Sequence, residues 1–164
     1  MPDSGLWHFI QWIHYLALTF WIGGITFLAG VVAPVIHHSM ASRAVAGDIV
    51  GKILKRLNRV EIISCFFLLF TTSSALHFVS GRDRGIWYMI LMLILMGFLT
   101  AFYVFHLTPR MESLKEKIPA LEMLSSSHAA KIEFDRLHRI YVKLMCLNLV
   151  LGMMVLYGSV VILS

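Results

Sequence analysis

Apolar residues run along this chain in four long blocks, about 7–35, 58–79, 86–107 and 137–162, separated by stretches rich in Lys, Arg and other polar residues. A helix needs about 20 apolar residues to cross a hydrocarbon core, and each block is long enough. Lipid offers no hydrogen-bond partner to an open sheet edge, so the spans must be helices packed on one another. The pattern therefore predicts an all-α fold: one integral-membrane four-helix bundle occupying residues 1–164 as a single domain. Gly23, Gly24 and Gly30 in helix 1, Gly97 in helix 3, and Gly152 and Gly158 in helix 4 offer places for close backbone approach or for a flat ligand.

The connections have a pattern too. Val45, Ile49, Ile53 and Leu57 recur at helical spacing beside basic residues. That fits an amphipathic helix over about 42–57 at an anionic leaflet, or equally a plain extension of helix 2. The connection over about 108–136 is mixed in charge and broken by Pro119, so it reads as short helical pieces with a loop at the serines of 125–127. The first block begins almost at once, without a basic leader or a small-residue cleavage site, and reads as a retained first span.

Composition agrees with a bilayer environment: 59% of residues are apolar, above the roughly 45–50% of soluble domains. The net charge of +5 does not point to nucleic acid, because no basic run is interleaved with aromatic residues. Instead, twelve of the fourteen Lys and Arg residues fall in or beside the first and third connections, leaving Arg82 and Arg84 for the second. By the positive-inside rule both termini lie outside the cytoplasm, and in a bacterium the membrane is the inner one. Cys65 and Cys146 sit inside apolar runs at similar depth and read as buried thiols.

The ionisable residues inside the blocks carry the candidate chemistry, since such groups in a membrane are costly and are functional by default. His14 lies about two turns inside helix 1, and His77 about one turn from the end of helix 2, at nearly matching depths. Two neutral imidazoles so placed can supply both axial ligands of a haem iron. Ser73 and Ser74 are candidate hydrogen-bond partners for the ring nitrogens that do not bind metal. His106 and His138 form a second, weaker pair toward the other face. Arg59 and Glu61 at the start of helix 2, with Arg139 and Lys143 in helix 4, predict an ion pair locking those helices together. Met89, Met92 and Met96, with Met153 and Met154 at similar depth, could join His14 and His77 in a soft donor set that favours Cu(I). No Ser–His–acid set, carboxylate pair or phosphate-cradling glycine loop is present, and enzymatic activity is left open.

Three segments, "HYLALTFWIGGITFLAGVVAP", "KRLNRVEI" and "FDRLHRIYVKLMCLNLVLG", resemble the transmembrane protein 205-like family of small four-span proteins. Helix 1 is also similar to the copper-resistance-D-like proteins and to the haem b membrane protoporphyrinogen IX oxidases. In the oxidases a helix 1 histidine seven residues before a tryptophan, followed by a small residue and glycine, is a haem ligand. That resemblance implies His14, Trp21, Gly23 and Gly24 as a haem-side motif here. The oxidases also use a helix 3 lysine, which this chain lacks, so what the resemblance implies is a scaffold and a ligand position.

The expectation is a haem b-binding membrane protein, with one haem or two, in electron transfer or haem handling. Its cofactor-binding residues would be His14, His77, Trp21, Gly24, His106 and His138, with His14 and His77 on the metal. A copper-homeostasis protein and a structural accessory subunit of a larger membrane redox complex are the alternatives.

Overall fold

The computed structural model describes residues 4–79, 83–117 and 128–163, and among the described residues every regular element is a helix. Helix α1 is Ser4–Phe27, followed without a break by a π-helical turn, Leu28–Val32, and by α2, Ala33–Ser39. Helix α3 is Arg43–Phe78; α4, Asp83–Phe102, runs through a second π turn, Tyr103–Leu107, into α5, Thr108–Lys117; and α6 is Ala129–Leu163. Four continuous spans result: Gly5–Ser39, Val45–Phe78, Arg84–Glu116 and Ala129–Leu163, each long and apolar enough to cross a bilayer. The protein is a multi-pass integral membrane protein.

Both π turns have the same cause. Pro34 and Pro109 each stand second in the helix that follows a π turn. Proline has no N–H, and its ring collides with the carbonyl four residues back, here that of Gly30 or Phe105 in the middle of the turn. Widening the turn moves that carbonyl aside. The Ala33 and Thr108 N–H groups close the widened rings on the carbonyls of Leu28 and Tyr103. The Thr108 hydroxyl also donates to the Tyr103 carbonyl, at 3.0 Å.

The helices outrun the apolar blocks. The segment 42–57 is not a separate surface helix: α3 begins at Arg43 and is continuous, so the plain extension is what forms. The third span continues past 107 through Pro109 to Lys117, and α6 starts at Ala129 rather than 137. The expected breaks at Pro119 and the serines, and Arg82 in the second connection, lie outside the described residues. A helix of 35 residues is about 52 Å long against a hydrocarbon core of about 30 Å, so the excess projects as a stalk at the end rich in Lys and Arg. Ion pairs tie the stalk together, Lys55 with Glu112 and Arg110 with Glu133, the latter at 2.7 Å.

Helix α1 packs against α3 and α6, and α4 packs against the same two, so the bundle is a ring in the order α1, α3, α4, α6. Both termini of the bundle meet at the opposite, terminal end. There the Gln11 side-chain amide donates to the Leu163 carbonyl, and Trp7 stacks on Phe78 at 5.3 Å. Trp12, Trp87, Tyr88 and Tyr157 are exposed near this end, as an interfacial aromatic belt requires. Below it Phe20, Phe66, Phe70 and Phe98 face outward into what must be lipid.

Close approach occurs at some of the glycines only. A Cβ on buried Gly152 would stand 3.2 Å from Ile22, whereas Gly23 and Gly30 have nothing within 4 Å. A Cβ on Gly24 would meet only the end of the Leu57 side chain.

Candidate functional site

His14, Leu18, Trp21 and Ile25 recur at helical spacing on α1 and all point inward, each 0–1% exposed. His14 is thereby carried into the bundle between α3 and α6. Its Nδ1 lies 2.9 Å from the Thr71 hydroxyl and its Nε2 lies 2.8 Å from the Ser159 hydroxyl. The next residue, Tyr15, donates from its hydroxyl to the Ser159 carbonyl at 3.2 Å. Both ring nitrogens are thus held by hydroxyls from two different helices.

Each of those hydroxyls also has a backbone carbonyl in its own helix to donate to. The Thr71 oxygen is 2.8 Å from the Phe67 carbonyl, and the Ser159 oxygen is 2.7 Å from the Val155 carbonyl. A hydroxyl has one hydrogen and two lone pairs, and a neutral imidazole is a donor at one nitrogen and an acceptor at the other. With neutral His14, one hydroxyl turns its hydrogen to the ring and the other accepts from the ring. With an imidazolium, both hydroxyls donate to their carbonyls and both accept from the ring. The cage satisfies either state by rotating one O–H, with no heavy atom moving.

Two further polar side chains lie on α1 between this cage and the terminal end. Exposed His8 is 3.3 Å from the Gln11 carboxamide oxygen, and Gln11 is half-buried one turn before His14.

A second buried polar cluster lies toward the basic end. The Glu61 carboxylate, 1% exposed, accepts a hydrogen bond from the Tyr103 hydroxyl at 2.6 Å. That hydroxyl is 3.1 Å from the Thr100 hydroxyl, and the Asn148 amide donates to Thr100 at 2.8 Å. Tyr141 packs against the Tyr103 ring at 4.9 Å and donates to the Asn58 carboxamide at 2.8 Å. Tyr103 begins the second π turn, so the proline that widens the helix also sets where its hydroxyl points.

This geometry corrects the expected ion pair. Glu61 faces Tyr103 rather than a cation, while Arg59, Arg139 and Lys143 are all exposed. Two residues along a helix are about 200° apart, so Arg59 and Glu61, close in sequence, lie on opposite faces of α3.

Ten residues of α3 separate Glu61 from Thr71, about 15 Å along the axis. Between the two clusters the interior is filled by Trp21, Leu68, Leu93, Met96 and Val155, all 0% exposed. This layer is mostly apolar, with the Trp21 indole N–H and the buried Ser64 of α3 as polar groups within it. Three buried polar atoms in the interior have no partner among the described residues: Trp21 Nε1, Thr72 Oγ1 and Asn148 Oδ1.

The remaining predicted residues are placed apart from the His14 cage. His77 is exposed in the last turn of α3, about 120° around the helix from Thr71. Ser74 donates to the Phe70 carbonyl at 2.9 Å, within its own helix, and Ser73 is exposed. His106 is edge-on to Phe102 and His138 is stacked on Phe134, each exposed on its own helix, with no hydrogen bond or ring contact between them. Met89 and Met96 are core residues, whereas Met92, Met153 and Met154 line an open hollow of about 450 Å³ with Val150 and Tyr157. Among the described residues no three His, Cys, Asp or Glu side chains gather as a metal site. Cys65 and Cys146 are free thiols, and Cys146 is exposed rather than buried.

A family model described as a domain of unknown function (DUF4149) matches residues 16–120. No curated protein and no solved structure matches the chain. The matched stretch includes Trp21, Glu61, Thr71 and Tyr103, while His14 falls just before it and Asn148 and Ser159 after it.

Proposed function

The chain belongs to the DUF4149 family, and from the caged histidine in its bundle we propose a proton-linked integral membrane protein in which His14 takes up and releases a proton. Glu61 is a second proton-exchanging group near the opposite face, positioned by Tyr103, Thr100 and Asn148. The observation that carries this reading is that both His14 nitrogens meet hydroxyls which already have carbonyl acceptors, so the cage serves either protonation state. A histidine is the side chain whose unperturbed titration lies nearest neutrality, and a charge buried in a bundle costs several kcal/mol unless hydrogen bonds offset it. The mostly apolar layer between them supports the same reading, because no hydrogen-bonded chain among the described residues joins the two groups into an open proton leak.

The test is proton uptake by the purified protein in unbuffered detergent solution, read with a pH indicator after an acid pulse. Wild type takes up more protons than His14→Phe, and His14→Phe/Glu61→Gln takes up fewer still. Equal uptake by all three folded proteins overturns the proposal.

A second reading, haem b binding in electron transfer or haem handling, is favoured by the inward alignment of His14 and Trp21 on one face of α1. It requires a His14 nitrogen to exchange its hydroxyl for iron, with an axial partner other than exposed His77 in its present place. A reduced-minus-oxidised spectrum of protein from a haem-replete host decides it: an alpha band lost in His14→Ala supports haem, and its absence from wild type removes the reading. The copper alternative now rests on Met92, Met153 and Met154 in their shared hollow, and metal analysis tests it. Kinship with the transmembrane protein 205-like proteins and a cytoplasmic basic end belong to the same proposal.

A further inference from the structure

Several cations in and near the stalk are neutralised by protein acids, whereas those on α6 at the membrane boundary are not. In and near the stalk, Lys52, Lys55, Arg110 and Lys131 pair with Asp48, Glu112, Glu133 and Asp135. On α6, Arg136, Arg139 and Lys143 recur at i, i+3 and i+7, all exposed, and none has an acid partner among the described residues. Arg139 and Lys143 flank Tyr141, whose side chain points into the bundle toward Asn58. Two residues of helix turn by about 200°, so both cations point away from the bundle on one outward stripe.

Depth decides what that stripe meets. Tyr157 belongs to the aromatic belt and is exposed. From Tyr157 the rise to Lys143 is about 21 Å and to Arg139 about 27 Å, both within a hydrocarbon core of about 30 Å. Lys143 therefore emerges inside the hydrocarbon and must carry its ammonium toward the basic end along its apolar stem. Helical side chains lean toward the N-terminus of their helix, which for α6 is the basic end, so the Lys143 ammonium is carried toward the Arg139 guanidinium one turn away. Two cations drawn together at the hydrocarbon edge, without a protein carboxylate, call for an anion that itself resides there.

We infer that the outward stripe Arg139–Lys143 of α6 is a binding site for the phosphate headgroup of an anionic phospholipid, with Arg136 as its outer rim. The guanidinium supplies a two-pronged contact to phosphate oxygens and the ammonium a point charge beside it. A zwitterionic headgroup brings its own cation to the same place, so the site discriminates by net charge.

The protein is reconstituted in nanodiscs of equal phosphatidylglycerol and phosphatidylcholine, released, and its retained lipids are counted by native mass spectrometry. Wild type retains phosphatidylglycerol several-fold over phosphatidylcholine, and Arg139→Gln/Lys143→Gln brings the ratio to parity. Lys52→Gln, which removes a cation already paired, leaves the ratio unchanged. Retention without preference in wild type, or an undiminished preference in the double variant, overturns the inference. So does loss of the phosphatidylglycerol on adding millimolar inorganic phosphate at constant ionic strength, which would make the site one for soluble anions. Unchanged helical circular dichroism of each variant separates loss of the site from loss of fold.

Discussion

Glu61 and Tyr103 give the inner cluster its energetics, and a double-mutant cycle measures them. Tyr103→Phe removes the hydroxyl that donates to Glu61 at 2.6 Å and leaves a carboxylate 1% exposed with no partner. Hydrogen bonds to charged groups contribute about 1.5–3 kcal/mol in water-soluble proteins, but side-chain bonds between membrane helices average about 0.6 kcal/mol and reach about 1.7. The carboxylate has no water to fall back on, so the upper membrane figure applies. Tyr103→Phe should cost about 1.7 kcal/mol in the wild-type background. Glu61→Leu removes the buried acid at similar volume and leaves the Tyr103 hydroxyl with Thr100 and Asn148. In that background Tyr103→Phe loses only neutral bonds and should cost under about 1 kcal/mol. The predicted coupling is therefore about 1 kcal/mol, read from reversible unfolding in bicelles at alkaline pH, where Glu61 is a carboxylate. Costs that agree in the two backgrounds within about 0.3 kcal/mol, the limit of additivity, would refute the assignment of Tyr103 as the partner of Glu61.

Thr71→Val leaves one His14 nitrogen without its hydroxyl and should destabilise the bundle by about 1 kcal/mol, whereas Ser73→Val on the exposed face should be neutral within about 0.5 kcal/mol in the same unfolding assay. Gly152→Val places methyl groups against Ile22 and should cost about 1–3 kcal/mol, while Gly30→Val, with nothing within 4 Å, should show no clash; thermal unfolding distinguishes the two. With Cys65 and Cys146 replaced by Ala, a cysteine at Ser42 or His128 should react with an impermeant maleimide only from the cytoplasmic side, and labelling from the opposite side contradicts the orientation.

The four spans were legible because lipid leaves the backbone one solution, and the apolar blocks mark it. The true lengths were not legible. Residues 43–57 and 108–117 are polar enough to read as connections, yet they are helical, with Lys55–Glu112 and Arg110–Glu133 pairs running between the helices. The helix runs on through Pro109 because a π turn absorbs it. His14 stood out correctly as a buried ionisable group. Its partners did not, since Thr71 and Ser159 look like any hydroxyl bonding back to its own helix until the ring order of the bundle brings three helices together. Depth alone matched His14 with His77; it says nothing about azimuth, and His77 points outward. The same omission set Glu61 against Arg139 and Lys143 of helix 4, at comparable depth, instead of against Tyr103. A hint was available in α6, where Asn148 and Ser159 stand eleven residues apart, three turns on one face of an apolar helix.

The most direct test of the central claim is nitrogen-15 NMR of the His14 ring in lipid bilayers across the pH range in which the fold persists. The His14 ring is expected to pass between a neutral form with one protonated nitrogen and an imidazolium, both with hydrogen-bonded nitrogen shifts, and to titrate differently in Thr71→Val/Ser159→Ala. A His14 ring that stays in a single protonation state throughout, or titrates identically without its two hydroxyls, would contradict it.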